Sequence, residues 1–296
     1  MKLYAPKYYK KFRCIADKCE HSCCIGWEID IDENTAKKYQ TLNGGYGEVI
    51  KESISADETP HFKLSEHDRC PHLDERGLCR IILHMGEDCL CDICREHPRF
   101  YNYTDVAEVG IGFSCPEAAQ LMLSSPDYAA MEAVGEVEAE ADGIPFNGRA
   151  RRGEIYAILQ GGAKYADALD EICQKYSVYV GEDGRWLETL ASLEYLNADH
   201  KTLFMSYSSK RRPVGKNFDE GLERFFAYLI YRHCTEALDE EDFGVRLTFC
   251  LFCESLLASL ICTEKADSLA RIATLASVIS EEIEYSDENT LALMNT

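Results

Sequence analysis

Ten of the chain's fifteen cysteines lie between Cys14 and Cys115. This crowding constrains the fold more than any other feature, because a segment that collects thiols is organised around something other than hydrocarbon. The spacing Cys14-x4-Cys19-x3-Cys23-Cys24 puts four thiols within eleven residues, and Cys70, Cys79, Cys89, Cys91, Cys94 and Cys115 follow. Six of the eight histidines also fall before residue 100. Packing of small apolar side chains predicts no such clustering. The N-terminal MKLYAPKYYKKF carries no apolar run of signal-peptide length, so the chain is expected in the cytoplasm. Thiols stay reduced there, and clustered cysteines serve as ligands or catalytic groups rather than disulfides.

Thiolates are soft, charged ligands suited to iron–sulfur clusters and zinc. The number of thiols, their short spacings, and the turns that Gly26 and Gly77 permit all suit a [4Fe–4S] cube. The C-x3-C-x2-C pattern of radical enzymes that cleave S-adenosylmethionine does not fit. Counting from Cys19 its third position is Gly26, and counting from Cys14 its second is Lys18. Zinc ribbons use paired C-x2-C units. Cys91-x2-Cys94 is one such unit, and zinc stays open as the alternative metal. Cys250-x2-Cys253 has the same spacing within TFCLFCESLLASLIC, where residues three apart share a helix face, so both are expected in a core.

Formal net charge is −21, from 31 basic and 52 acidic side chains. Nucleic acid and anionic membranes would be repelled, whereas a lysine-bearing partner would not. The apolar run around Leu247–Cys262 is interrupted at Glu254 and reads as too short to span a bilayer. No Gly-rich nucleotide loop or nucleophile elbow is present.

Along the chain, Trp27, Ile29 and Ile31 alternate with acids as in a short strand, and Asn34–Leu42 reads as a helix. Glu75-Arg76-Gly77 marks a hairpin turn, and Ala107–Phe113 another strand. Pro116 and Glu117 open a helix capped by Ser114 or Cys115. Helical spacing governs Ile155, Ile158 and Leu159, then Phe218–Ala237, Arg246–Cys262 and Ile272–Ile283. Gly161-Gly162 reads as a helix end. The predicted fold is mainly α. A cysteine-rich, loop-heavy metal-binding part with short strands spans residues 1–124. An acidic connection with Glu132, Glu136, Glu138, Glu140 and Asp142 spans 125–148. An all-helical bundle spans 149–296.

CIADKCEHSCCIGWEIDID, CPHLDERGLCRI, DICREHPRFYN and FSCPEAA, in that order, resemble successive motifs of the flagellin lysine N-methylase (FliB-type) family. ERFFAYLIYRH and EYSDENTLALM resemble its later segments. The resemblance implies methyl transfer from S-adenosylmethionine to lysine ε-amines of flagellin, in the cytoplasm, with a [4Fe–4S] cluster. It implies Cys14, Cys19, Cys23, Cys24, Cys70, Cys79, Cys94 and Cys115 as the motif thiols, with Cys89 and Cys91 as additions.

A lysine amine must be neutral to attack a sulfonium methyl, so a proton acceptor is needed. Asp92, Glu96, His97, Tyr101 and Tyr103 are the candidates, and Arg95 and Arg99 are the candidate partners for the donor's carboxylate. Two other classes remain open: a non-catalytic zinc- or iron-binding module, and an iron–sulfur redox protein.

Overall fold

A computed structural model describes residues 1–19, 21–139 and 146–296. The chain is mainly α, 54% helical, with a small four-stranded sheet. It forms two units. The larger comprises Met1–Phe12 and Arg99–Thr296, and the smaller Arg13–Pro98.

Every named strand belongs to the larger unit: β1 (Lys2–Pro6), β2 (Arg99–Tyr103), β3 (Ala107–Ile111) and β4 (Met131–Glu136). The order is β2-β3-β1-β4, with β1 parallel to β3 and the other pairs antiparallel. All four strands lie before residue 137, β3 where Ala107–Phe113 is expected as a strand, and every named element from Gly148 onward is a helix. In the smaller unit Trp27–Ile31 keeps its alternation, with Ile29 and Ile31 buried, but pairs only through an isolated bridge between Asp30 and His61. The stretch expected as an acidic connection supplies β4, an edge strand on which acidic residues face water. Glu132 there pairs with Lys10 at 3.2 Å. Glu140 and Asp142 lie outside the described residues.

Within β3, Gly110 is required by close packing. A Cβ at this position would come within 2.3 Å of the Phe100 ring and 2.8 Å of the Tyr231 ring. Its neighbour Glu108 is buried and ionic. Both its oxygens accept from Arg152, at 2.7 and 2.8 Å, and Arg152 also donates to the Thr235 hydroxyl and lies over the Tyr231 ring. The pair joins the sheet to the helix Gly148–Leu159, whose Ile155 and Leu159 enter the core.

The helix Glu240–Thr263 runs through that core. Asp239 caps it by accepting from the Asp242 amide, and acids fill its first turn. It is longer than the interrupted apolar run suggests, and long and apolar enough to cross a membrane, yet 78% of its apolar window is buried inside the protein. Glu254 fits within it because Arg212 donates two hydrogen bonds to its carboxylate and Tyr165 a third. Cys250 and Cys253 are fully buried, as their spacing predicts.

The Lys216–Leu229 helix continues into a π turn, Ile230–Cys234, and Leu269–Ile279 into another, Ser280–Glu284. The turns meet at the buried Glu284, which accepts from Tyr228 at 3.0 Å and from His233 at 2.6 Å. Burial alone would raise the Glu284 pKa. Arg232 and His233 outweigh that and hold the carboxyl below its usual range. Burial lowers the pKa of His233, despite Glu284.

Two outcomes are expected. Arg152→Met strands the Glu108 charge and should lower stability by about 3–5 kcal/mol, while adding Glu108→Met should recover most of that loss in urea titrations. The His233 pKa lies below its unfolded value, so its contribution is complete above about pH 6.5 and is lost as the pH falls below that. Denaturation at pH 7.5 and 5.5 should show an acid-side loss that is smaller in His233→Gln than in the unaltered chain.

Candidate metal centre

The smaller unit has its own core, in which Cys70 and Cys91 are buried among Ile29, Ile31, Tyr39, Ile50 and Phe62. Cys24, Cys79, Cys89 and Cys94 pack against this core. Backbone geometry brings the thiol segments together. The Cys70 amide donates to the Cys24 carbonyl at 2.8 Å. Leu73 and Cys79 bridge across the Glu75-Arg76-Gly77 turn, with Gly77 at φ +79° as its position demands. Cys79 caps Arg80–Met85, and Cys91 caps Asp92–Glu96.

The electrostatics confirm the proximity. Cys91 and Cys94 are electrostatic neighbours. The contact with Cys94 lowers the Cys91 pKa, and the same contact, with burial, raises that of Cys94. Cys23, although exposed, is raised first by its contact with Cys24. Burial pushes Cys70 up to about 11, with the charges of Cys79 and Cys91 adding to it. Burial also raises Cys79, against hydrogen bonds from the Ile81 and Ile82 amides. Tyr39 is raised by burial and by the neighbouring Cys91, Cys94, Cys89 and Cys79. Its hydroxyl donates to the Cys89 carbonyl at 2.6 Å.

Of the motif thiols, Cys23, Cys24, Cys70, Cys79 and Cys94 therefore share one neighbourhood. Cys14 is exposed and accepts from the Ala16 amide, while the Cys19 thiol donates to the His21 carbonyl. Cys115 belongs to the larger unit. Cys91, set aside as an addition, lies at the centre of the group, and its C-x2-C spacing with Cys94 was the signal for it. All fifteen cysteines are free thiols. Among the described residues, no three His, Cys, Asp or Glu side chains stand in a closed metal-ligating arrangement. The donor set, soft and gathered on turns, fits a thiophilic group.

His72 is fully buried in this unit and both its ring nitrogens are engaged, Nδ1 with the Tyr46 hydroxyl at 2.8 Å and Nε2 with the Ser53 hydroxyl at 2.9 Å. Burial, then Arg80, lowers its pKa to about 4. It is a neutral structural link.

The candidate proton acceptors and cations divide between the units. Asp92, Arg95, Glu96 and His97 belong to the smaller one, and Arg99, Tyr101 and Tyr103 to β2 of the larger. Arg95 pairs with Asp92 and, at 3.4 Å, with Glu96. Arg99 donates to the Tyr9 hydroxyl at 2.9 Å. The Tyr101 and Tyr103 rings stack with centroids 6.2 Å apart.

Sequence reasoning missed Asp32. Its carboxylate accepts from the Thr35 amide at 2.8 Å, capping the helix Glu33–Thr41, and from the Asp92 amide at 3.0 Å. One side chain thus starts a helix and anchors the Cys91–Cys94 turn. Asp32→Ala should cost about 2 kcal/mol, a cap plus a charged hydrogen bond. Hydrogen exchange should show faster opening of amides in Arg13–Pro98 and unchanged exchange in the helix Glu240–Thr263.

No family profile matches the chain, and no solved structure matches it. Curated relatives do match. The Lysine-N-methylases of Salmonella typhimurium and Salmonella choleraesuis are each 30% identical over 43% of this chain. Those matches cover 33% of each relative, so the chain spans about a third of their length. The flagellar biosynthetic protein FliU of Salmonella muenchen is 30% identical over 43% of this chain, and the match covers 79% of that protein.

Proposed function

The chain belongs to the flagellin lysine N-methylase (FliB-type) family, and from that premise we propose that it methylates lysine side chains of flagellin with S-adenosylmethionine as donor. The observation that carries the reading is the gathering of Cys23, Cys24, Cys70, Cys79, Cys91 and Cys94 in one small unit. The relatives named for lysine methylation and flagellar biosynthesis support it.

Four thiols of this set are proposed to hold a [4Fe–4S] cluster, with Cys91 and Cys94 among them. The cluster supplies charge and Lewis acidity when bound, and it ties the segments of the unit to one another. In the transfer, the lone pair of a neutral lysine amine forms the N–C bond. The S–C bond breaks, and the donor leaves as the thioether S-adenosylhomocysteine. The proton passes to a basic side chain, for which Asp92, Glu96, His97, Tyr101 and Tyr103 are proposed. Arg95 or Arg99 is proposed to meet the donor's carboxylate. The acidic surface favours approach of a lysine-bearing substrate at low ionic strength. The reaction is placed in the cytoplasm, before flagellin is exported.

Anaerobically purified protein should be brown, with about four irons and four sulfides per chain. With flagellin and S-adenosylmethionine it should yield N-methyl-lysine detectable by mass spectrometry. Cys94→Ser should lose iron and stability together, whereas Cys253→Ser should keep iron. Colourless protein with stoichiometric zinc would exclude the cluster, and unmodified flagellin with the cluster intact would exclude the methylase.

A further inference from the structure

The larger unit carries a surface groove that the proposed reaction does not use. It lies between the helices Gly148–Leu159 and Tyr165–Tyr176 and has a volume of about 380 Å³, room for a lysine side chain and its neighbours. Ala157, Ile158, Gly161 and Ala163 form its floor, and Glu154, Glu171 and Lys175 are its charged lining. Ala157, Gly161 and Ala163 are exposed and Ile158 is half-buried, so the apolar floor is open to solvent. An open apolar floor with a polar rim is the pattern of a surface that receives a partner.

The charges on its walls are unevenly answered. Lys175 stands one turn after Glu171 on the same helix, the spacing at which such a pair forms. Its ammonium crosses instead to Glu154, at 2.8 Å, and Arg151 and Tyr176 donate to the same carboxylate at 3.2 and 3.1 Å. Glu154 and Lys175 are thereby answered within the fold. Glu171 is exposed and has no ion pair among the described residues, and neither has Asp167, one turn before it on the same helix face. Two acids at this spacing repel each other, a small cost to the helix that a bound cation removes. The unanswered charge of the groove is therefore negative, and it stands over an apolar floor. A partner that sets a lysine among small or apolar residues matches both. We propose that this groove docks a lysine-bearing segment of the protein substrate, with a lysine ammonium on Glu171, in the added field of Asp167, and the flanking residues on Ala157 and Ile158. The proposal rests on the reading of flagellin as substrate, and it uses none of the residues proposed for the transfer itself.

The test reads binding by the full chain with no methyl donor present, so it does not depend on turnover. Fluorescently labelled monomeric flagellin is titrated with the chain at about 0.15 M salt, where charges beyond about 8 Å are screened. Glu171→Gln should weaken binding about threefold, the loss of one exposed ion pair, and Glu171→Lys about tenfold. Ala157→Phe fills the floor without changing charge and should weaken binding by a similar factor. Glu188→Lys makes the same charge reversal on the helix Asp183–Ser192 and should leave the affinity unchanged. Carbodiimide, which joins a carboxylate to an amine in contact with it, should link Glu171 to a flagellin lysine in tryptic maps, and acetylation of the flagellin lysines should remove that link. Binding that depends on Glu171 and Ala157 with no N-methyl-lysine formed in a separate assay would uphold the groove and remove only the methylase. Flagellin that fails to bind, or that binds the Glu171→Lys and Ala157→Phe variants as tightly as the unaltered chain, would overturn the proposal. So would a Glu171 link to a second copy of the chain in place of flagellin, which would make the groove a self-association face.

Discussion

Cys70 and Cys91 are two of the ten buried apolar side chains that make up the described core of Arg13–Pro98. A unit with so little hydrocarbon inside gains too little from burial to offset the ordering of its chain. Its helices are short, and its strand-like segments meet as isolated bridges, so few backbone hydrogen bonds cooperate. Small domains of this kind rely on a cross-link, which is either a disulfide or a metal. With every cysteine a free thiol, the gathered sulfurs are where such a cross-link would act.

The larger unit solves the opposite problem. It has ample apolar interior, and its specificity comes from carboxylates buried inside it. Glu108 is answered by Arg152, Glu254 by Arg212 and Tyr165, and Glu284 by Arg232, Tyr228 and His233. Glu282 accepts from the Leu196 and Asn197 amides and from His200. Each arrangement joins segments distant in sequence, and each is costly if misassembled because the charge has no water to return to. Apolar packing makes this unit stable, while the ion pairs dictate which helix lies against which.

Local signals in the sequence predicted the local structure. The helix at Glu33–Thr41, the Glu75-Arg76-Gly77 turn, the proline-led helix at Pro116 and the buried Cys250–Cys253 face all follow from periodicity, caps and turn chemistry. Ala107–Phe113 gave one strand of the sheet, but its pairing did not follow from them. β1 pairs with segments more than a hundred residues away, and nothing in KLYAP marks it as a central strand. Glu132 and Glu136 looked like solvated linker because an acidic edge strand has the same composition as a loop. At the candidate centre, the family motif led to Cys94 and to the x2 spacing, but the depth of Cys91 depends on Tyr39 and on the anchoring of the Asp92 amide by Asp32. Those contacts span 50 and 60 residues and have no signature in sequence.

Environment, more than spacing, separates the cysteines into two chemical classes. Cys250 and Cys253 share the C-x2-C pattern with Cys91 and Cys94. They lie in the middle of a long helix, where amides are taken up by the helix itself, and burial raises their pKa values far above the ordinary thiol range. A thiolate there would lack both water and backbone donors, so these residues behave as small hydrophobes. Cys91 begins a helix of five residues, where amides lack intrahelical acceptors, and the contact with Cys94 lowers its pKa. The same two-residue gap therefore gives an inert core pair in one setting and, in the other, a pair with one thiol shifted down and its neighbour up. Short elements leave amides beside Cys79 and Cys91 without intrahelical acceptors, and those amides lower thiol pKa values that burial raises.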